Sequence, residues 1–188
     1  MRIIGGHFKG VKIFEAFDKN TRPLKDLVKE SILNILQHSK NEKLNFDNST
    51  VLDLFSGTGS FGLECISRGS SKVYFFERYR QSLEILKKNV KKLKCEKKVK
   101  IYNEDAHNFF QNKEIINKKF DLIFLDPPFE EKNIEIILQN IAKIKILNKN
   151  GMIVLHRHKK TKDEFSKEFK IKRSVNYGIS QIIFGKIN

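Results

Sequence analysis

A chain of 188 residues fits one domain with at most a small appendage, and it is long enough to bury a substantial core. It holds no run of roughly eighteen apolar residues and opens without an apolar leader, so neither a membrane span nor a signal peptide is expected; its two cysteines, Cys65 and Cys95, form no CxxC pair, which excludes a zinc or disulfide framework and suits a reducing cytoplasm. The net charge of +15 points to a polyanionic partner, RNA or DNA, although the Lys-, Asn-, Ile- and Phe-rich composition typical of AT-rich genomes is a second source of the lysine excess.

In chain order, the first seventeen residues read as a small β element. Ile3-Ile4, Val11 and Ile13 alternate with basic residues, and Gly5-Gly6 and Gly10 supply turns. Thr21-Arg22-Pro23 opens a helix, with Pro23 at a first helical position and Asp26 in the first turn. Leu24, Leu27, Val28, Ile32, Ile35 and Leu36 form its apolar face. The polar stretch Gln37 to Thr50 reads as a linker.

From Val51 onward strand and helix alternate. Strands are expected at Val51–Leu54, Lys72–Glu77, Val99–Tyr102, Phe120–Leu125 and Met152–Leu155. Helices fall around Gly62–Ser67, along Leu83, Leu86, Val90 and Leu93, and along Ile134, Ile137, Leu138 and Ile141. In the tail, Asn176-Tyr177-Gly178 interrupts an apolar alternation, which predicts two antiparallel strands closing the sheet's edge. The fold class is therefore α/β, a doubly wound, mostly parallel, Rossmann-like sheet of seven strands with a C-terminal antiparallel hairpin and a small N-terminal β-hairpin plus helix extension.

Two motifs carry chemistry. Asp53-Leu54-Phe55-Ser56-Gly57-Thr58-Gly59 lies between the first strand and its helix, where glycines let a ligand approach the backbone. The glycines at 57, 59 and 62 match a dinucleotide spacing, but an aspartate four residues before Gly57 repels a pyrophosphate and attracts the α-amino group of a methionine moiety. That favours S-adenosylmethionine over NAD. Glu77, closing the second strand, can accept from ribose hydroxyls; Asp105, after the third, can accept from an adenine amine. The expected cofactor set is Asp53, Phe55, Ser56, Gly57, Thr58, Gly59, Glu77, Arg78, Asp105 and Ala106.

The second motif is Asp126-Pro127-Pro128-Phe129, after the fourth strand. An exocyclic base amine is a poor nucleophile because its lone pair is delocalised into the ring. Acceptors for both amine hydrogens localise that pair and aim it at a methyl donor. Asp126 supplies one, the Pro127 carbonyl another on a backbone stiffened by proline, and Phe129 a ring to stack on the base. These four are the catalytic candidates. His156-Arg157-His158, at the end of the fifth strand, has metal-like residue types without a third ligand, so RNA contact is preferred there to metal. The lysines between Lys87 and Lys100 read as a solvated outer helix face.

With these residues in view, the chain resembles class I S-adenosylmethionine-dependent methyltransferases of the bacterial RsmD type. The resemblance runs through Met1-Arg2-Ile3-Ile4-Gly5-Gly6, Thr21-Arg22-Pro23 with Asp26 and Lys29-Glu30, Val51 to Gly59, Gly62-Leu63-Glu64, Ser67-Arg68-Gly69 and Phe120 to Pro128. It departs at Leu24, where that family usually has threonine, and at Phe129, where it has tyrosine. The resemblance implies methylation of a guanine N2 in small-subunit (16S) ribosomal RNA. It also implies an RNA-binding extension over residues 1–45, with His7, Lys9, Lys12 and Arg22 as RNA contacts, and a methyltransferase domain over 46–188. The implied partner is rRNA in a small subunit or its assembly intermediate, with the protein a monomer that needs no metal or membrane. Three alternatives fit less well. An adenine-N6 DNA enzyme would want a target-recognition domain, an NAD oxidoreductase conflicts with Asp53, and a non-catalytic RNA-binding protein leaves Asp126-Pro127-Pro128 without a purpose.

Overall fold

The computed structural model describes residues 1–16 and 24–187. The predicted helix opening at Thr21-Arg22-Pro23, with Pro23 as a first helical residue, lies outside them. Helix α1 spans Asp26–His38 and buries Val28, Ile32, Leu33 and Leu36, with the Asp26 carboxylate in its first turn. Leu27 is 68% exposed, contrary to the sequence reading. It shares its helix face with Ser31 and Asn34, one hundred degrees or so away from the buried ridge.

The predicted alternation is present. Strand β1 (Thr50–Leu54) leads into α2 (Ser60–Ser67), β2 (Lys72–Phe76) into α3 (Arg80–Lys92), then β3 (Val99–Tyr102), β4 (Phe120–Leu125), α4 (Ile134–Ile144) and β5 (Leu147–His158). The chain ends in β6 (Phe169–Tyr177) and β7 (Ser180–Ile187). These make one seven-stranded sheet of order β3-β2-β1-β4-β5-β7-β6. Strand β1 pairs in parallel with both β2 and β4, so the strand order reverses there and a crevice opens beyond their carboxyl ends. The tail forms the predicted hairpin, but β7 inserts between β5 and β6 and is antiparallel to both. Only β7 therefore opposes the sheet direction.

Apolar layers cover both faces. One unites α1, α2 and α3 with Val51, Val73 and Phe124; the other packs α4, Phe109 and Ile115 against Leu52, Phe76 and Ile123. Strands β1, β2 and β4 are buried on both faces, which is why they read as continuous apolar runs. Strand β5 begins five residues before its predicted start, because the polar Asn148-Lys149-Asn150 hides its first half. The presumed linker is also structural: Leu44 and Phe46 are buried in the first layer.

The N-terminal element is less regular than expected, closed by one isolated bridge, Arg2 to Lys12, rather than by two full strands. Side chains from the main body hold it. The fully buried Glu64 of α2 accepts from the Ile4 and Gly5 amides at 2.8 and 2.7 Å. Ser67 Oγ accepts from Phe8 N at 2.9 Å and donates to Gly5 O. Buried Lys29 of α1 donates to Arg2 O at 3.0 Å and lies 3.8 Å from Glu64, which also pairs with Arg68 at 3.1 Å. Gly6 has no room for a side chain: at φ 72° an added Cβ would sit 1.9 Å from Ser67 O.

Glu64→Ala would leave the Lys29 and Arg68 cations without their shared partner and two amides without an acceptor. Removing one member of a buried ion pair costs about 3–5 kcal/mol. The urea midpoint is expected to fall accordingly at unchanged m value.

Candidate active site

The carboxyl ends of β1, β2, β3 and β4 open into one cavity of ≈ 610 Å³, a size suited to a cofactor-like ligand. It gathers Asp53, Phe55, Ser56, Gly57, Thr58, Glu77, Arg78, Asp105, Ala106, Asp126, Pro127, Pro128 and Phe129. Gly59, the remaining cofactor candidate, lies just beneath as the N-cap of α2. The N-terminal element contributes Met1, Glu15, Ala16 and Leu24 to the same walls, which the sequence reading did not anticipate.

The turn after β1 is held open by its own backbone. Phe55 adopts φ 64°, a left-handed conformation that costs a side-chain-bearing residue about 1–2 kcal/mol. Gly57 and Gly59 follow at φ 54° and 83°, and an added Cβ at Gly59 would meet Leu86 Cδ1 at 2.3 Å. Ser56 Oγ closes the turn by donating to Asp53 O at 2.6 Å. Gly62, third of the spaced glycines, serves packing instead: a Cβ there would fall 2.3 Å from the Phe75 ring.

The four strand-end acids are in different states. Asp53 is 1% exposed; its Oδ2 accepts from Gly62 N at 3.0 Å, while Oδ1 is buried without a hydrogen-bond partner among the described residues. Burial pushes its pKa well above the ordinary range, the Gly62 amide partly opposes this, and the nearby Asp126 and Glu77 add repulsion. Such a group calls for a cation.

Glu77 is raised mainly by burial as well, but its oxygens accept from Gly57 N at 2.7 Å and Tyr79 N at 2.6 Å, which tie the glycine turn to β2. Asp105 caps the short 3₁₀ segment Ala106–Gln111, accepting from His107 N at 2.9 Å and facing His107 Nδ1 at 2.8 Å. It also pairs with Arg78. Burial alone would raise the Asp105 pKa, but these partners outweigh it and hold the carboxyl low.

Asp126 lies 2.7 Å through Oδ1 from Nδ1 of His156, a residue of β5. The following segment is fastened by Arg157, which donates to Pro128 O at 3.1 Å and Glu131 O at 2.6 Å while forking onto Asp163 at 2.8 and 3.0 Å. His156 and Arg157 are 1% and 0% exposed, so the expected RNA contact is corrected for both: their polar groups are spent inside the protein. His158 is partly exposed and packs edge-on against Phe129, with ring centroids 4.9 Å apart. The sequence reading missed the inward role of His156 and Arg157 because their partners Asp126, Pro128, Glu131 and Ser180 lie far along the chain.

The basic candidates His7, Lys9 and Lys12 are exposed on the N-terminal element, and Arg22 lies outside the described residues. Lys87, Lys88, Lys91, Lys92, Lys94, Lys97, Lys98 and Lys100 are exposed as expected of a solvated face. Among the described residues, no helix is long and apolar enough to cross a membrane.

Comparison with known proteins agrees with this geometry. The model of the family described as conserved hypothetical protein 95 matches residues 1–186. The Bacillus subtilis protein YlbH is 31% identical over 99% of this chain and 98% of its own length. Ribosomal RNA small subunit methyltransferase D of Haemophilus influenzae is 32% identical over 85% of this chain and 79% of its own. Of solved structures, Escherichia coli yhhF superposes with a TM-score of 0.82 at 23% identity, covering 100% of this chain and 98% of that one. Haemophilus influenzae HI0767 gives 0.77 at 27%, with the same coverage.

Because burial raises the Asp53 pKa in the ligand-free fold, stability falls as pH rises above the ordinary carboxylate range, and that penalty is gone once pH drops below the unfolded value. Asp53→Asn keeps the acceptor for Gly62 N and removes the charge. The ligand-free variant is expected to melt about 2–4 °C higher near pH 7, for ~1 kcal/mol recovered. Calorimetry should show that gain shrinking toward acid pH.

Proposed function

The chain belongs to the conserved hypothetical protein 95 family, the RsmD-type methyltransferases, and from that membership we propose that it methylates the exocyclic N2 of a guanine in small-subunit (16S) ribosomal RNA. It is an S-adenosylmethionine-dependent methyltransferase. The observation that carries the site reading is Asp53 Oδ1, a buried carboxyl oxygen without a hydrogen-bond partner among the described residues, in a cavity whose other strand ends also carry acids. That donor set suits S-adenosylmethionine, which supplies an electrophilic methyl group on a sulfonium when bound.

In this reading Asp53 and the turn Phe55 to Gly59 hold the amino-acid end, Glu77 and Arg78 the ribose, and Asp105 and Ala106 the adenine. Asp126 accepts one hydrogen of the target amine and the Pro127 carbonyl accepts the other. The Pro128 carbonyl is already engaged by Arg157 and Glu131 N. As the nitrogen gains its methyl group it gives up one proton, for which the Asp126 carboxylate is an adjacent acceptor. Phe129 supplies a ring for the extruded base. Positioning and electrostatics do the work without a strong base.

For the RNA, residues 1–45 form the gripping extension, with His7, Lys9, Lys12 and Arg22 as contacts, on a body comprising residues 46–188. The lining of the cavity by Met1, Glu15 and Leu24 supports a direct link between that extension and the chemistry. The net charge of +15 favours a polyanionic substrate presented in the cytoplasm as a small subunit or its assembly intermediate, met by a monomer that needs no metal.

Incubation with labelled S-adenosylmethionine and unmethylated small subunits, free rRNA or DNA should yield N2-methylguanosine from the ribosomal RNA. N6-methyladenosine in DNA would instead identify the DNA alternative. Asp126→Ala is expected to lower turnover by at least ~10²-fold while leaving cofactor affinity within about twofold. Asp53→Asn should weaken cofactor binding by more than ~1.4 kcal/mol, tenfold in Kd by titration calorimetry.

A further inference from the structure

His156 stands beside the site, and no step above assigns it a part. Strands β4 and β5 are in register through Leu125 and Leu155, so the next residues along, Asp126 and His156, emerge side by side at the carboxyl edge. The imidazole is 1% exposed, with Nδ1 2.7 Å from Asp126 Oδ1 and Nε2 2.8 Å from Ser180 Oγ on β7.

The chemistry of these atoms fixes which group donates toward an ionised Asp126. An ionised carboxylate only accepts, so a hydrogen bond to Asp126 requires the proton on Nδ1. In the neutral ring Nε2 then carries a lone pair, and the Ser180 hydroxyl donates to it. The chain runs from Ser180 O–H through His156 to Asp126, each donor aimed at the next acceptor. Ser180 is itself 5% exposed, so water competes little for the hydroxyl. Strand β7 runs against the rest of the sheet, which delivers Ser180 from its first residue to the carboxyl edge of β5.

We infer that His156, its ring held from the far side by Ser180, is a positioning residue for methyl transfer that fixes the rotation of the Asp126 carboxylate against the target amine. The inference rests on the assignment of Asp126 to the amine. A carboxylate turns readily about its terminal torsion, and a donor on one oxygen pins both. The bond is charge-assisted, the stronger class of hydrogen bond. Arg157 fastens the backbone after Asp126 while His156 fastens the side chain, so neighbouring residues of one strand fix two parts of one motif.

The geometry of amides tests this. In His156→Asn the side-chain NH2 takes the position of Nδ1 and can still donate to Asp126; in His156→Gln the NH2 takes the position of Nε2 and cannot. With unmethylated small subunits and S-adenosylmethionine, His156→Gln is expected to lose ~10–100-fold in kcat with KM for the cofactor little changed. His156→Asn should recover most of that loss, and Ser180→Ala, which removes the hydroxyl that anchors the far side of the ring, should fall between them.

Equal losses in the Asn and Gln variants at matched melting temperatures would overturn the inference, as would wild-type kcat in His156→Gln. Should His156→Gln fail to fold, Ser180→Ala decides: a reduced kcat at unchanged melting temperature supports the inference and a wild-type kcat refutes it. Asp126→Ala measured alongside separates the two readings. Activity retained there defeats the site assignment itself, whereas an inactive Asp126→Ala beside a fully active His156→Gln defeats only the role of His156.

Discussion

The buried Glu64 carboxylate joins what the sequence presents as separate parts. It sits on α2, the helix launched by the glycine turn, and binds the amides of Ile4 and Gly5 from the other end of the chain. Lys29 from α1 and Arg68 at the C-terminal cap of α2 balance its charge, so three segments meet at one ionic node. Asn89 of α3 adds a second fastening, donating to Phe14 O and to Thr58 O at 3.0 Å each. One side chain thereby bridges the N-terminal element and the cofactor turn. The shared cavity wall of Met1, Glu15, Ala16 and Leu24 follows from these bonds.

The cavity concentrates acid in a strongly basic protein. Asp53, Glu77, Asp105 and Asp126 all project from the carboxyl edge of the parallel sheet, and Asp53 feels the charge of both Glu77 and Asp126. Asp105 relieves its own charge through Arg78 and His107, and Glu77 through backbone amides. Among the described residues, Asp53 has one amide donor and an oxygen without a partner. The strain of the site is thus local and electrostatic, and a cation answers it. The exposed lysines put positive charge on the outer surface, while the cavity edge gathers carboxylates.

The sheet was legible because buried parallel strands and amphipathic helices have distinct periods. Val99–Tyr102 and Phe120–Leu125 match their predicted spans. The two motifs were legible because strand ends in this topology converge on a crevice, so local sequence sufficed to place Asp53 and Asp126 together. Misreadings arose where a residue's environment is set from elsewhere in the chain. Leu27 obeyed helical spacing but faced solvent, because none of the described residues buries that side of α1. The first half of β5 was hidden by Asn148-Lys149-Asn150, which Asp121 engages through the Asn148 amide at 2.6 Å. His156 and Arg157 looked like surface cations because Asp126, Ser180 and the Pro128 and Glu131 carbonyls lie far from them along the chain, and Asp163, six residues on, carries no local signal of pairing.

Those two residues also alter what the Asp-Pro-Pro-Phe motif requires. Two prolines fix φ and remove amide donors, but they leave ψ and the direction of the segment undetermined. Arg157 completes the task, with its guanidinium fork spread between the Asp163 carboxylate and the carbonyls of Pro128 and Glu131. A fully buried arginine is tolerated only when its donors are satisfied, and here four bonds to three residues do so at once. The same residues that satisfy the charge therefore set the path of the loop. A small displacement of that loop would move Asp126 and the Pro127 carbonyl together, and effective molarity falls steeply with such misplacement. Rigidity at the motif thus resides less in proline itself than in a cation buried one strand away.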